Sequence, residues 1–358
     1  MFQPKYTISG QILQNISQIE AAKALIDHSP IIPAYEKQFR EDAITRTVHY
    51  GTKLEGNELS FGEVAKIIEG EKIVAGKRDI QEVINYRQVS NYLEKLIIDP
   101  SQKDSLYSNK TLLELHRLVV DKVVPQNQSG VFRKLQVTIR NSATDEVFFR
   151  PPPPAEVPFL VGELFGWLNS EAGKQGHPVI RSGVAHYFLV AVHPFTEGNG
   201  RTSRAMATLI LMAENYNIKG LFSLEEYFDR QAESYYNSLQ AVSAQPGDLS
   251  QKDQTPWLEF FTLALASELK KVEEKIRNLS SDLQLRKRLG GKQIPLTERQ
   301  IKLVEYMRQF GGLRISDAQQ ILPMVSDDTI WRDLKKLIES RIVEKRGSTK
   351  GAYYRLAS

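Results

Sequence analysis

His193-Pro194-Phe195-Thr196-Glu197-Gly198-Asn199-Gly200-Arg201-Thr202-Ser203-Arg204 is the stretch whose reading decides the fold. An apolar helical segment, Val184 to Val192, leads into it, and another, Met206 to Met212, leads out. A turn between two core helices has no need of an imidazole, a carboxylate, two glycines, an amide and two guanidinium groups; a nucleotide site uses them all. Gly198 and Gly200 allow backbone conformations that let successive N–H groups converge on an anion. The helix beginning at about Asn199 to Arg201 favours phosphate at its N-terminus. Arg201 and Arg204, three residues apart, share a helix face and both reach a polyphosphate. Glu197 is a hard oxygen ligand suited to a phosphate-bound Mg²⁺. His193 is the side chain here whose ordinary pKa lies near neutrality, as a general base requires. No Lys-Ser/Thr follows the glycines, so the stretch is not a P-loop.

These residues resemble the Fic family signature H-P-F-x-D/E-G-N-G-R-x-x-R, and every fixed position matches. The resemblance implies a mainly α fold, a helical core carrying a β-hairpin flap. It implies transfer of AMP from ATP to a Ser, Thr or Tyr hydroxyl of a target protein or of the chain itself, with Mg²⁺. Carried over residue by residue, His193 would deprotonate the hydroxyl and Glu197 would hold the metal. Gly198, Asn199 and Gly200 would cradle the α- and β-phosphates, joined by Arg201. Arg204 would bind the γ-phosphate, and Thr202 and Ser203 count with the ATP-binding run.

The rest of the chain agrees with such a protein. With 358 residues, 41% hydrophobic and 25% charged, there is room for two or three soluble domains. The absence of cysteine excludes disulfides, thiol nucleophiles and Cys-based metal sites. No secretory signal or membrane-spanning run is seen, so no membrane partner and a cytoplasmic protein are expected. The net charge of +4 resides from Pro295 onward, where 12 Lys or Arg face 8 Asp or Glu. The expected division is an N-terminal helical region over 1–110, a catalytic core over 111–245, a helical connector over 246–294 and a small domain over 295–358.

A charged amphipathic helix starting at Tyr35 runs into Thr52-Lys53-Leu54-Glu55-Gly56-Asn57, where Gly56 is a natural helix stop. Here lies a second resemblance. Many Fic proteins carry an inhibitory helix with Ser or Thr four residues before Glu-Gly or Glu-Asn, and its Glu pairs with the second signature Arg. Glu55-Gly56 matches the acidic end and makes Glu55 the expected inhibitory residue. The hydroxyl position is Gly51, with Thr52 beside it as a substitute.

Gly130 to Arg140 alternates apolar and polar residues, Asn141 to Asp145 is turn-like, and Val147 to Phe149 resumes the extended pattern, which predicts a β-hairpin. Its resemblance is to the Fic flap, which holds the target segment. Pro151 to Pro154 give it a rigid exit. His186, seven residues before His193, reads as a hydrogen-bonded core histidine rather than a metal ligand. Leu224 to Ala241 is an amphipathic helix that the resemblance places beside the adenine, with Tyr236 to stack on the base and Asn237 to read its edge.

From Leu296 the pattern of three short helices and a hairpin resembles a winged helix-turn-helix. Arg332, Lys336, Lys345, Arg346 and Lys350 suit DNA phosphates, whereas Asp327 and Asp328 repel them. DNA is therefore a candidate partner through this module, beside ATP, a target protein and a second copy of the chain. Two functions are expected to compete: an adenylyltransferase held back by Glu55, and a DNA-binding regulator whose Fic-like core senses nucleotide. The first is favoured, because a sensor needs neither a base nor a metal carboxylate.

Overall fold

The computed structural model describes residues 2–29, 33–99, 106–140, 147–216, 218–288, 296–322, 325–340, 342–347 and 352–357. The turn expected at Asn141–Asp145, the boundary expected between 294 and 295, and Lys350 lie outside them. The chain forms two compact units, Met1–Ile276 and Arg277–Ser358.

In the first unit the chain runs through α1 (Gly10–His28), α2 (Pro33–Lys53), α3 (Phe61–Ile68), α4 (Lys77–Ile98) and α5 (Asn109–Val119). A two-stranded hairpin follows, β1 (Ile139–Arg140) and β2 (Val147–Phe149). Then come α6 (Val157–Asn169), α7 (Glu171–Lys174), α8 (Pro178–Val192), α9 (Asn199–Ala213), α10 (Leu224–Arg230), α11 (Ala232–Ser243) and α12 (Thr255–Arg288). Serines start many of these helices. Ser9, Ser60, Ser108, Ser170 and Ser223 each accept from a backbone N–H of the first turn, satisfying donors that the helix cannot.

Helix α8 is the axis. Its sequence is apolar on every face, and all but Pro178 and Val190 of its residues are buried, the pattern of a helix surrounded by others. Gly183 makes this possible on one side: a Cβ there would lie 2.7 Å from Leu258, and its carbonyl accepts the Trp257 indole N–H at 2.7 Å. Two of its polar core residues reach neighbouring elements. Ser182 donates to the Ala207 carbonyl of α9, and Arg181 pairs with Glu214 at 2.5 Å. His186 is a core histidine, as expected. Its ring stacks on Trp257 and its Nε2 meets the Tyr235 hydroxyl at 3.3 Å; burial pushes its pKa down to about 3.

Two expectations need correcting. Gly130 to Thr138 is not strand; only Ile139 and Arg140 pair with β2. The backbone upstream is drawn instead toward the loop after α8, where Arg133 N–H donates to the Pro194 carbonyl. Leu224 to Ala241 is not one helix either, because Gln231 (φ −117°, ψ 37°) breaks it into α10 and α11.

The second unit holds α13 (Glu298–Phe310), α14 (Ile315–Ile321), α15 (Asp327–Glu339), β3 (Val343–Arg346) and β4 (Tyr353–Leu356), with the two strands antiparallel. Thr297 closes a capping box with Gln300. Leu303, Met307, Leu313, Ile330, Leu334 and Tyr354 form its core. The expected succession of three helices and a hairpin is thus present. Trp331 is exposed on α15, with the Lys345 ammonium 5.5 Å from its ring, while Asp327 is engaged by Gln319.

Candidate functional site

The signature loop connects α8 to α9, and its shape follows from its residues. His193 ends α8 in the left-handed region (φ 48°, ψ 62°), costly for a residue before proline. Phe195 is fully buried and stacks on His116 (3.7 Å, 2°). Asn199 spends its amide within the loop, accepting from Phe195 N–H at 2.9 Å and donating to the Phe195 carbonyl at 2.8 Å. Gly198 (φ 77°) starts α9 where a Cβ would lie 2.7 Å from Val120. The Thr202 hydroxyl bonds back to the Gly198 carbonyl, and Ser203 is buried. Asn199 and Thr202 therefore spend their side chains within the loop and the first turn of α9.

His116 holds the loop from α5. Its Nδ1 accepts from Gly130 N–H at 3.0 Å, so its Nε2 carries the proton and donates to the Glu197 carbonyl, also at 3.0 Å. Burial keeps this imidazole neutral, its pKa near 4. The His193 ring is likewise pushed to about 4, first by burial and then by Arg133, against a raising contribution from the Val190 carbonyl. That carbonyl lies 3.4 Å from His193 Nδ1 and only accepts, so the proton belongs on Nδ1 and the Nε2 lone pair is free to act as base.

Two arginines face the start of α9. Arg201 and Arg204 are 2% and 3% exposed. Arg201 Nη2 lies 3.5 Å from Glu82, yet its Nε and Nη1 are buried without a hydrogen-bond partner among the described residues, as is Arg204 Nε. Buried guanidinium donors without acceptors are costly. Three of them lie together on the first two turns of α9, the end of a helix that favours an anion.

Part of that place is taken by Glu55. Its carboxylate accepts from Arg204 Nη2 at 2.9 Å, and the same nitrogen donates to the Gly51 carbonyl at 3.0 Å. The carboxylate lies so close over α9 that a Cβ on Gly200 would meet its oxygen at 2.2 Å. Burial raises the Glu55 pKa, but Arg204 and Arg201 together bring it below the ordinary value. A carboxylate thus sits on Arg204, over the start of α9.

The hydroxyl question at Gly51 has a steric answer. A Cβ there would stand 2.3 Å from the Tyr86 ring, and the Tyr86 hydroxyl donates to Glu225 at 2.9 Å. Thr52 does not substitute; its hydroxyl bonds back to Val48 and His49 of its own helix. Gly51→Ala is therefore a test of sign. Helix propensity alone would raise stability by about 1 kcal/mol, whereas overpacking against Tyr86 would lower it by about 1–3 kcal/mol. We expect a lower unfolding midpoint, and a higher one would show that α2 has room to shift.

Glu197 projects at the rim, its side chain 36% exposed, and pairs with Arg78 of α4, which also bridges to Glu82. Among the described residues no cluster of three His, Asp or Glu could hold a metal alone. A single carboxylate fits a Mg²⁺ that arrives with phosphate ligands of its own, the usual way this ion is held.

Glu55, His193, Gly200 and Arg204 share a cavity of about 260 Å³ with Val190, Ala191 and Leu239. Tyr236 also lines it, and its hydroxyl donates to the Leu54 carbonyl at 3.3 Å. Asn237 does not line it: one residue further round α11, it is exposed on another face. The polar groups on the cavity face are Gln240 and Ser243. They follow Tyr236 at i+4 and i+7, a periodicity readable from sequence.

The fold thus brings an imidazole, buried arginine donors without partners among the described residues, and a helix N-terminus together around one loop. Residues 106–211 match the Fic/DOC family model, and the chain carries a domain of that family. Protein adenylyltransferase Fic of Culex quinquefasciatus is 32% identical over 182 residues, covering 50% of this chain and 34% of that protein. Protein adenylyltransferase fic-1 of Caenorhabditis briggsae is 31% identical over 211 residues, covering 58% and 39%. The matches thus span little more than a third of these relatives. Among solved structures, a Fic family protein from Desulfovibrio desulfuricans G20 is similar over 100% of this chain and 99% of its own (TM-score 0.64, 24% identity). Fic-1 (aa134–508) from C. elegans covers 75% and 74% (TM-score 0.59, 24% identity). Among the described residues, no helix is long and apolar enough to cross a membrane.

Proposed function

We propose that the chain is a protein adenylyltransferase, taking AMP from ATP to a hydroxyl of a target protein or of itself, and that Glu55 holds it back. The observation that carries this reading is the set of orphaned Arg201 and Arg204 donors beside a neutral imidazole, with the Glu55 carboxylate on the neighbouring Arg204 Nη2. The target oxygen attacks the α-phosphorus as His193 Nε2 takes its proton; the α–β anhydride bond breaks, and pyrophosphate leaves. Arg201 and the backbone N–H groups of Gly198 to Gly200 hold the phosphates, and Arg204 takes the terminal one once Glu55 withdraws. Glu197, released from Arg78, would hold a Mg²⁺, which when bound neutralises charge on the phosphates. β1 and the extended segment before it offer main-chain groups to a target strand.

On this reading the adenine lies in the apolar part of the cavity against Tyr236, with Gln240 and Ser243 at its edge. Losing one neutral base-edge hydrogen bond costs about 0.5–1.5 kcal/mol. Gln240→Ala or Ser243→Ala should therefore narrow ATP-over-GTP preference by about 2- to 10-fold. Competition between the two nucleotides in a labelling assay checks this, and an unchanged ratio in both variants would remove these side chains from base reading. The reading as a whole is tested by incubating the chain with ATP and Mg²⁺, without and with a Glu55 substitution, and weighing it. A gain of one adenylate, on itself or on an added target, is the expected result.

A further inference from the structure

Three consecutive carbonyls, those of Val192, His193 and Pro194, all accept from one residue. Arg133 Nε donates to His193 at 2.8 Å and its Nη2 to Val192 at 3.4 Å; its backbone N–H donates to Pro194 at 2.9 Å. The same guanidinium donates to Leu135 (3.2 Å) and to Pro152 (2.5 Å), on the two sides of the hairpin. Arg133 is 4% exposed, and among the described residues every acceptor of its side chain is a main-chain carbonyl. An arginine buried without a carboxylate is expensive unless its charge is used. Here it lies against the C-terminal end of α8, where a cation meets the negative end of the helix dipole. It also holds open the left-handed turn at His193, which the following proline disfavours.

We propose that Arg133 is the positioning residue of His193, locking the imidazole's backbone to the base of the hairpin so that base and target-holding segment form one rigid piece. The proposal rests on the reading of His193 as the base. A structural clamp alone would only stabilise the turn. This one does two further things. It sets the distance between the Nε2 lone pair and whatever the hairpin carries, and it keeps a positive charge beside the ring, which disfavours the imidazolium. The other titratable groups facing the ring are Glu55 after α2, Arg204 on α9, and Tyr235 and Tyr236 on α11, with His186 about two turns back in α8's buried interior. Of these, Glu55 works in the opposite sense to Arg133, so a variant lacking Glu55 isolates the arginine's influence.

The test uses the full chain carrying Glu55→Gly, then adds Arg133→Met or Arg133→Lys. Two readouts are taken: transfer of label from α-labelled ATP across about pH 5 to 9, and titration of the His193 ring by NMR, assigned through a His193→Ala variant. A misplaced base predicts that Arg133→Met lowers transfer about 100-fold while ATP affinity stays within about threefold. The acid limb of its rate profile, and the ring titration, should move up toward the ordinary histidine value. Arg133→Lys keeps the charge but cannot reach all the carbonyls, so its transfer should fall with the acid limb in place. An imidazole that titrates alike in Arg133→Met and its parent overturns the proposal, whether or not any transfer is seen. So does a loss of ATP affinity matching the loss of transfer, which would mark Arg133 as a general support of the fold. Absence of transfer in the parent would instead sink the adenylyltransferase reading, leaving the ring titration to decide the arginine's role.

Discussion

Replacing His193 with Ala is expected to lower AMP transfer by about 100- to 10,000-fold, the usual contribution of a positioned general base. ATP binding should change little, because the groups that would grip the phosphates belong to α9 and to the loop backbone rather than to this ring. The geometry gives the prediction its size. His193 lines the same cavity as Gly200 and Arg204, and its Nδ1 faces the Val190 carbonyl, so the opposite nitrogen carries the lone pair. With its pKa pushed down to about 4, the ring is neutral throughout the physiological range. Transfer in a released enzyme should therefore be flat from about pH 6 to 8 and fail only in acid, as the imidazole gains its proton. The sign for stability is the same. Folded His193 binds fewer protons than an unfolded histidine, so its contribution is present above the ordinary value of 6.5 and is lost as pH falls toward 4. Measuring label transfer and nucleotide affinity on the same Ala variant separates the roles; transfer that persists would remove His193 as the base.

Most of this site was legible in the sequence because its chemistry is local. The loop from His193 to Arg204 is contiguous, its glycines sit where a helix must begin, and the two arginines fall on one face of α9. Glu55 was legible only through a family pattern, since nothing in the spacing between residues 55 and 204 announces an ion pair. What the sequence could not offer were contacts fixed by packing. The Tyr86 ring that makes Gly51 necessary comes from another helix, and so does Arg78, which occupies Glu197. Arg133 lies within the alternating stretch that predicts a hairpin, but its grip on three successive carbonyls depends on a chain path that alternation of apolar residues does not encode. That same path explains why the expected strand over 130–138 is absent. Asn237 was a failure of a different kind. The helical period already placed Gln240 and Ser243, not Asn237, on the face of Tyr236, and an amide next to a tyrosine drew the reading away from it.

Glu55→Gly is expected to raise transfer by about 10- to 100-fold. A charge-assisted hydrogen bond contributes about 1.5–3 kcal/mol, and each 1.4 kcal/mol is tenfold in an equilibrium constant. The pair joins a buried guanidinium to a carboxylate whose side chain is 28% exposed, so solvent screens it only in part. Removing the carboxylate also frees the space over Gly200, where its oxygen now stands. Arg204 is not left without support, because Glu225 and Tyr86 remain near its charge. It should therefore keep its place and accept a phosphate rather than collapse. Protonation offers a second route to the same release. Glu55 titrates below the ordinary carboxylate value, so the pair is intact above that value and is lost only as pH falls through the depressed one. Inhibition should accordingly be constant across neutral pH, and no modest acidification should substitute for the mutation. Glu55→Gln discriminates charge from bulk: it fills the same space over Gly200 but gives Arg204 no anion. If charge pairing is what restrains the site, Gln should release a large part of the activity; if occupancy of the phosphate position is, Gln should stay nearly as silent as the parent while Gly is active. Equal transfer by parent, Gln and Gly forms would mean that Glu55 does not restrain the site at all.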